Sequence, residues 1–290
     1  MTVRIGSVWD STQQVLAGRT GMLAPFAAIG FVLPVILQLL LVPQTTMANM
    51  SAGASVTGLL VTLVAIGLGI WAQLAIMALA THPATTSAEA SRAGLRRLLP
   101  LLGVAVVLGL VFALVVLVPV VVLGVSGFDF ARAIAAQGNP ALMPPMPPGA
   151  GLFVILYGLT AFILAFWVMA RLMLTYAVVL NERRGLGAIR RSITLTRGMT
   201  WRLIGVTILF VILVFVTTAA AQGVTAIAFR LILGSGHQAL VIGLASLVGS
   251  IVSAGFMTLA YVFIARLYVA AAGVPVVEAA EVTEDGSPTL

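Results

Sequence analysis

Charged residues are scarce in this chain of 290 residues: only 8% are Asp, Glu, Lys or Arg, whereas 61% are hydrophobic. Soluble domains typically contain about 25% charged and about 45 to 50% apolar residues. The polar residues are too few to cover the surface of a soluble globule. The composition therefore predicts a protein whose surface lies largely in a membrane.

Lysine and cysteine are absent. Without cysteine the chain has no disulfides, no thiolate chemistry and no zinc or iron–sulfur site built on Cys. All fifteen basic residues are arginine, a usage typical of GC-rich bacteria. The net charge of +7 does not indicate nucleic acid binding, because the arginines form short clusters between apolar runs.

Six apolar runs are long enough to cross a bilayer, since a helical span needs about 20 residues. They are 22–42, 55–80, 98–125, 151–180, 201–227 and 239–271. Ten-residue segments of alternating polarity, which are typical of a transmembrane barrel, do not occur. We predict an all-α fold, a polytopic helical membrane protein with about six transmembrane helices. Pro34 and Pro119 should kink the first and third spans.

The distribution of arginine predicts the orientation, because cytoplasmic loops retain positive charge. Eleven arginines lie before the first span, between the second and third, and between the fourth and fifth; the other connections contain only Arg132 and Arg230. We expect a multi-pass protein of a bacterial cytoplasmic (inner) membrane with both termini in the cytoplasm. Residues 1–273 then form a helical membrane domain, and the acidic segment 274–290 forms a disordered cytoplasmic tail.

The connection between the fourth and fifth spans is the most basic segment. Leu186, Ile189 and Ile193 share one face of a helix, and arginines occupy the opposite face. We predict that this helix lies in the interface, with anionic lipids on the cytoplasmic side as its partners. The candidate headgroup or interface residues are Arg184, Arg190, Arg191, Arg197 and Arg202. Alternatively, these arginines only set the topology, or they recognise a protein partner.

Weaker amphipathic segments occur at residues 87–102 and around residues 9–19. Each precedes a pair of spans, so the order amphipathic helix, span, span occurs three times. This order indicates duplication of a helical hairpin unit.

Two arginines lie within the spans, where charge is costly and often functional. Arg171 and Arg266 are both near the cytoplasmic end of a span and within reach of the interface by snorkelling. We predict that they are interface anchors rather than substrate ligands. Gln38, Gln73 and Gln222 are the glutamines of the spans, and we expect them to bond between helices.

Patterns for catalysis are missing, including HExxH, a Walker-type loop, GxSxG and paired carboxylates at membrane depth. His82 and His237 fall on opposite sides of the membrane in the predicted topology, so they cannot share a metal ion. We expect no catalytic residues, no metal site and no cofactor.

The stretch 171–205 resembles the membrane domain of the glycerophosphoryl diester phosphodiesterase family. The matching elements are Arg171-Leu172, Glu182, Ala188-Ile189-Arg190-Arg191-Ser192, Thr196-Arg197-Gly198 and Trp201-Arg202-Leu203. In fused members of that family a soluble barrel hydrolyses the diester, and such a barrel needs about 250 residues. The spans take up nearly the whole chain here, so the resemblance implies a stand-alone membrane domain without the catalytic barrel.

We therefore expect a non-enzymatic integral membrane protein that acts as a membrane anchor, scaffold or lipid-interacting domain. Its partners would be the lipid bilayer, other proteins or further copies of itself. The alternative is a transporter or permease for a small or lipidic molecule, which would require a polar cavity near the middle of the membrane. An enzyme is a third alternative, and the missing catalytic patterns argue against it.

Overall fold

The computed structural model describes residues 4–42, 52–82, 84–136, 139–182 and 185–273. In this part of the chain all regular structure is helical, which confirms the predicted all-α fold. The α-helices are α1 (Ile5–Ala27), α2 (Leu33–Leu41), α3 (Ala52–Thr81), α4 (Ser87–Val125), α5 (Phe130–Ala135), α6 (Ala150–Leu172), α7 (Thr175–Glu182), α8 (Gly187–Leu195), α9 (Thr200–Leu233) and α10 (Gln238–Ala272). The acidic segment 274–290 lies outside the described residues, so its predicted disorder stays a prediction.

Six helical stretches are long and apolar enough to cross a membrane, which confirms the predicted number. They are Ile5–Leu41, Val56–Thr81, Ser87–Val125, Ala150–Glu182, Thr200–Leu233 and Gln238–Ala272. The third is longer than predicted, because the amphipathic segment before it continues directly into the span. The first is longer because it includes the amphipathic segment before it, which a kink at Arg19 joins to the apolar part. At the third, a capping box starts the helix: Thr86 Oγ1 accepts from the Glu89 backbone N–H at 3.3 Å, and Glu89 Oε2 accepts from the Thr86 N–H at 2.9 Å.

The first span is irregular at two positions. The backbone of Arg19 leaves the helical region (φ −132°, ψ 15°), which separates the amphipathic start of α1 from its apolar continuation. A π-helical segment, Ala28–Val32, then joins α1 to α2. Pro34 explains this widening, because it has no N–H to donate to the carbonyl of Gly30 and its ring crowds that carbonyl. By contrast, α4 remains helical through Pro119.

Tight packing is concentrated at one end of the bundle, where α3, α7 and α10 end and α4 and α9 begin; we call this the arginine-rich end. Residues 72–80 of α3 and 177–180 of α7 are all buried there. In contrast, the most apolar stretches of α4 and of the α6–α7 span contain no buried residue. The exposed apolar halves of these helices have the surface expected of helices that contact lipid.

The last helix, α10, lies at the centre of the arrangement and packs against α1, α3 and α9. The π-helical segment approaches α3 very closely, because a Cβ on Gly30 would collide with the Cβ of Ala72. The short helix α8 packs against α6, α7 and α10 at the arginine-rich end. This helix lies within the most basic segment of the sequence, the connection between the fourth and fifth predicted spans.

Candidate functional site

Helix α8 is held by small residues and leaves its larger side chains at the surface. Ala188 and Ser192 are fully buried, and the Ser192 hydroxyl donates to the Arg171 carbonyl oxygen at 2.8 Å. On the predicted apolar face, Leu186 is 58% and Ile193 41% exposed, whereas Ile189 packs partly against the core. An exposed apolar edge at the end of a membrane bundle suits contact with acyl chains.

The five arginines predicted for the interface have different surroundings. Arg190, Arg197 and Arg202 are exposed, on α8, in the following turn and at the start of α9 respectively. Arg191 is partly buried, and its Nε donates to Glu182 Oε1 at 3.0 Å in an ion pair. Arg184 lies outside the described residues.

Glu182 also links α8 to the centre of the bundle. The Tyr268 hydroxyl on α10 donates to the same carboxylate oxygen, Oε1, at 3.3 Å. One carboxylate therefore connects α7, α8 and α10. The sequence did not reveal this partner for Arg191, because the contact depends on the turn of the chain between α7 and α8.

Arg171 is placed between α6 and α8. Its Nη1 donates to the Ile193 carbonyl at 3.3 Å, and the guanidinium carbon lies 5.0 Å from the centre of the Trp167 ring. Such stacking stabilises a cation by about 0.5 to 2 kcal/mol, depending on desolvation. Nε of Arg171 is buried and has no hydrogen-bond partner among the described residues.

Arg266 joins three helices. Its Nε donates to Ser11 Oγ on α1 at 2.6 Å, and its Nη1 to the Ala80 carbonyl near the end of α3 at 3.4 Å. Arg19, which sequence reasoning did not single out, donates to the carbonyls of Leu79 at 2.8 Å and His82 at 3.3 Å. The two guanidinium groups thus bind the carbonyls of Leu79 and Ala80, in the last turn of α3, which a helix C-terminus leaves without backbone partners.

A central cavity of about 540 Å³ lies between α1, α3, α4, α6, α7, α9 and α10. Its wall is mainly aliphatic and aromatic, and none of the lining residues is charged. The polar side chains that line it are Gln73, Thr175, Tyr176, Thr207 and Tyr261. Arg171 and Arg266 do not line this cavity. Gln73 is recognisable from the sequence as a polar residue in a span, but the cavity is not.

A second cavity, of about 660 Å³, forms a lateral groove between α6 and α9. It is lined by Phe162, Phe166, Trp167 and Ile204, and at the arginine-rich end by Trp201. Trp201 is 80% exposed and directly precedes Arg202. Tryptophan is enriched at the level of lipid headgroups, where its apolar ring and N–H group are both accommodated.

Among the described residues there is no group of three or more His, Cys, Asp or Glu side chains that could hold a metal ion.

Comparison with known proteins identifies the family. No curated protein and no solved structure matches the chain. The resemblance to the membrane domain of glycerophosphoryl diester phosphodiesterases therefore stays a prediction. One family model, described as "Domain of unknown function (DUF7847)", matches residues 7–271. Since this match covers most of the chain and both cavities, the protein belongs to the DUF7847 family.

Proposed function

We propose that this protein is a non-enzymatic, lipid-interacting membrane protein whose arginine-rich end binds anionic headgroups. The observation that supports this function best is the exposure of Arg190, Arg197 and Arg202 beside an exposed apolar edge formed by Leu186 and Ile193. Each basic residue near an anionic leaflet contributes about 1 kcal/mol to membrane attraction. The three together are sufficient for a strong preference between lipids.

The groove between α6 and α9 extends the proposed surface toward the middle of the membrane. Its apolar wall suits an acyl chain, and Trp201 stands at the end of the groove next to Arg202. A lipid with its chain in the groove would therefore have its phosphate close to the basic surface. Arg191 contributes less to this surface, because Glu182 already neutralises it.

Replacing Arg190, Arg197 and Arg202 together with glutamine should remove the lipid preference. We expect wild-type protein in mixed nanodiscs to enrich phosphatidylglycerol over phosphatidylcholine. In the triple variant this enrichment should be lower by at least about tenfold. Native mass spectrometry of the retained lipids provides the measurement. High salt should weaken the wild-type preference, because charges are screened over about 10 Å at 0.1 M.

The matched control replaces Arg132 on α5 and Arg230 in the last turn of α9, which are both exposed and lie away from the arginine-rich end. This control should keep the wild-type enrichment. Equal enrichment in the triple variant and the wild type would mean that the arginines act only on topology or bind a protein, and the proposed function would then be wrong.

We further propose that the arginine-rich end faces the cytoplasm of a bacterium, so that both termini are cytoplasmic. The support is the arginine distribution together with an even number of spans. A periplasmic phosphatase reporter fused after Leu290 should be inactive, whereas the same reporter inserted after Pro145, in the connection before α6, should be active. Activity in the reverse pattern would overturn this orientation.

A transporter is the second candidate, and the observation that favours it is the central cavity. The cavity lies beside the interruption between α6 and α7, and interrupted helices often border the binding sites of transporters. The absence of charged residues from its wall argues against an ion as the cargo.

A further inference from the structure

The wall of the central cavity is suited to a molecule that is mostly apolar. Leu108, Met169, Val206, Phe210 and Leu259 line it from four helices. Its volume of about 540 Å³ is within the range of ligand pockets in proteins, about 300 to 1,000 Å³. An apolar wall of this size can enclose a substantial part of a lipid chain.

Polar side chains converge on the same cavity from four helices, the fourth being α9 with Thr207. Gln73 of α3 is 93% buried, with 7% of its surface exposed, and Thr175 and Tyr176 of α7 and Tyr261 of α10 lie in the same wall. The hydroxyl of Thr175 is buried and has no hydrogen-bond partner among the described residues. A buried hydroxyl without a partner is costly, so a ligand that supplies one would be stabilised.

Two of the irregular segments of the bundle lie next to this cavity or to its wall. Met173, in the interruption between α6 and α7, lines it directly. Phe31, in the π-helical segment, packs against the Tyr261 ring with 5.8 Å between ring centres. Interrupted and π-helical backbone within spans is frequent where a helix borders a functional cavity.

The chemistry of the wall defines the class of ligand. A carboxylate, phosphate or amine in the cavity would have no charged partner in its wall, and burying an unpaired charge is costly. Hydroxyl and amide side chains both donate and accept hydrogen bonds, so they suit a hydroxyl or carbonyl group. We infer that the central cavity binds an uncharged lipid in which an apolar chain ends in a hydroxyl or ester group. This site is separate from the proposed basic surface at α8.

Photolabelling of the full-length protein in nanodiscs tests this inference. The probe is a diacylglycerol with a diazirine in one acyl chain, and the comparison probe is phosphatidic acid with identical chains, which adds only the charged phosphate. We expect saturable diacylglycerol labelling of residues 169–176, 206–210 and 259–264, and labelling of these segments by phosphatidic acid that is lower by at least about tenfold.

Two substitutions separate binding in the cavity from general contact with lipid. Ala260→Phe should fill the cavity and abolish the saturable labelling. Ala228→Phe adds the same side chain at an exposed position of α9 and should leave the labelling unchanged. Should Ala260→Phe fail to fold, as judged by gel filtration, Leu108→Trp fills the cavity from the opposite wall.

Thr175→Val keeps the shape of the side chain and removes its hydroxyl. It should weaken diacylglycerol binding by about five- to tenfold, which corresponds to one hydrogen bond. Thr218→Val is the matched control, because the Thr218 hydroxyl is also buried without a partner in the described structure but lies outside the central cavity.

The outcomes distinguish this site from the basic surface. The variant without Arg190, Arg197 and Arg202 should keep its diacylglycerol labelling whether or not it loses the preference for anionic lipid. Equal labelling of the three segments by phosphatidic acid would overturn the inference of an uncharged ligand. Diacylglycerol labelling that Ala260→Phe and Leu108→Trp both leave unchanged would show that the lipid contacts only the outer surface, and the inferred site would be wrong.

Discussion

Gly30→Ala should destabilise the protein by about 1 to 3 kcal/mol, the usual cost of adding atoms to a well-packed interior. The new Cβ would collide with the Cβ of Ala72 and lie 3.2 Å from the Leu68 carbonyl oxygen, both on α3. Neither neighbour is the end of a flexible side chain, so the two helices must move apart. In an ordinary helix the same change would stabilise by up to about 1 kcal/mol. The midpoint of thermal unfolding in detergent measures the difference.

Two further variants make this test specific. Gly67→Ala in α3 is the control, because an added Cβ there meets nothing within 4 Å, and it should be neutral or stabilising. Ala72→Gly removes the atom that the new Cβ meets. Combined with Gly30→Ala in a double variant, it should restore much of the stability that Gly30→Ala alone loses. If Gly30→Ala unfolds at the same midpoint as Gly67→Ala, the close contact between the π-helical segment and α3 does not exist in the folded protein.

The number of spans was predictable because hydropathy is summed over about 20 residues and tolerates local errors. The helix ends were less predictable. The polar segment that begins at Ser87 has the periodicity of a separate surface helix, yet it continues into its span without a break. The segment that begins at Ile5 is set off from its span by a single non-helical residue, Arg19, rather than by a loop. A capping residue such as Thr86 indicates where a helix starts, but it does not indicate whether that helix ends before the membrane.

Proline predicted the position of one irregularity in the helical backbone, but it did not predict which form this irregularity takes. Pro34 predicts a kink, and the structure has a π-helical segment immediately before it. Pro119 predicts the same, yet α4 is helical throughout. A missing N–H can be accommodated by a kink, a π-turn or neighbouring groups, and the packing around it decides which occurs.

The central cavity could not be predicted, because its polar residues come from distant parts of the sequence. Gln73, Tyr176 and Tyr261 lie on α3, α7 and α10, and only the packing of these helices brings them together. Taken one at a time, a glutamine or a tyrosine in a span indicates only a contact between helices. The exposed arginines, in contrast, were identified from spacing alone, and spacing could not show that Arg191 is paired with Glu182.

Arg266→Met should destabilise the protein by about 1.5 to 3 kcal/mol, the range for hydrogen bonds to a charged group. Methionine keeps an unbranched side chain but leaves Ser11 Oγ and the Ala80 carbonyl without the guanidinium donors. These bonds tie α10 to α1 and α3, so the loss should raise the unfolding rate in detergent. Arg230→Met, at an exposed position outside the arginine-rich end, is the control and should stay within about 0.5 kcal/mol of the wild type.

Arg266→Lys distinguishes a bonding role from simple anchoring at the interface. Lysine keeps the charge and can snorkel, but it lacks the planar fork that allows arginine to donate to two helices at once. We expect Arg266→Lys to lose most of the stability that Arg266→Met loses, and the double variant with Ser11→Ala to show coupling of at least about 0.5 kcal/mol. A fully stable Arg266→Lys without coupling to Ser11 would instead support an anchor that needs only its positive charge. The guanidinium would then be dispensable for joining α1, α3 and α10.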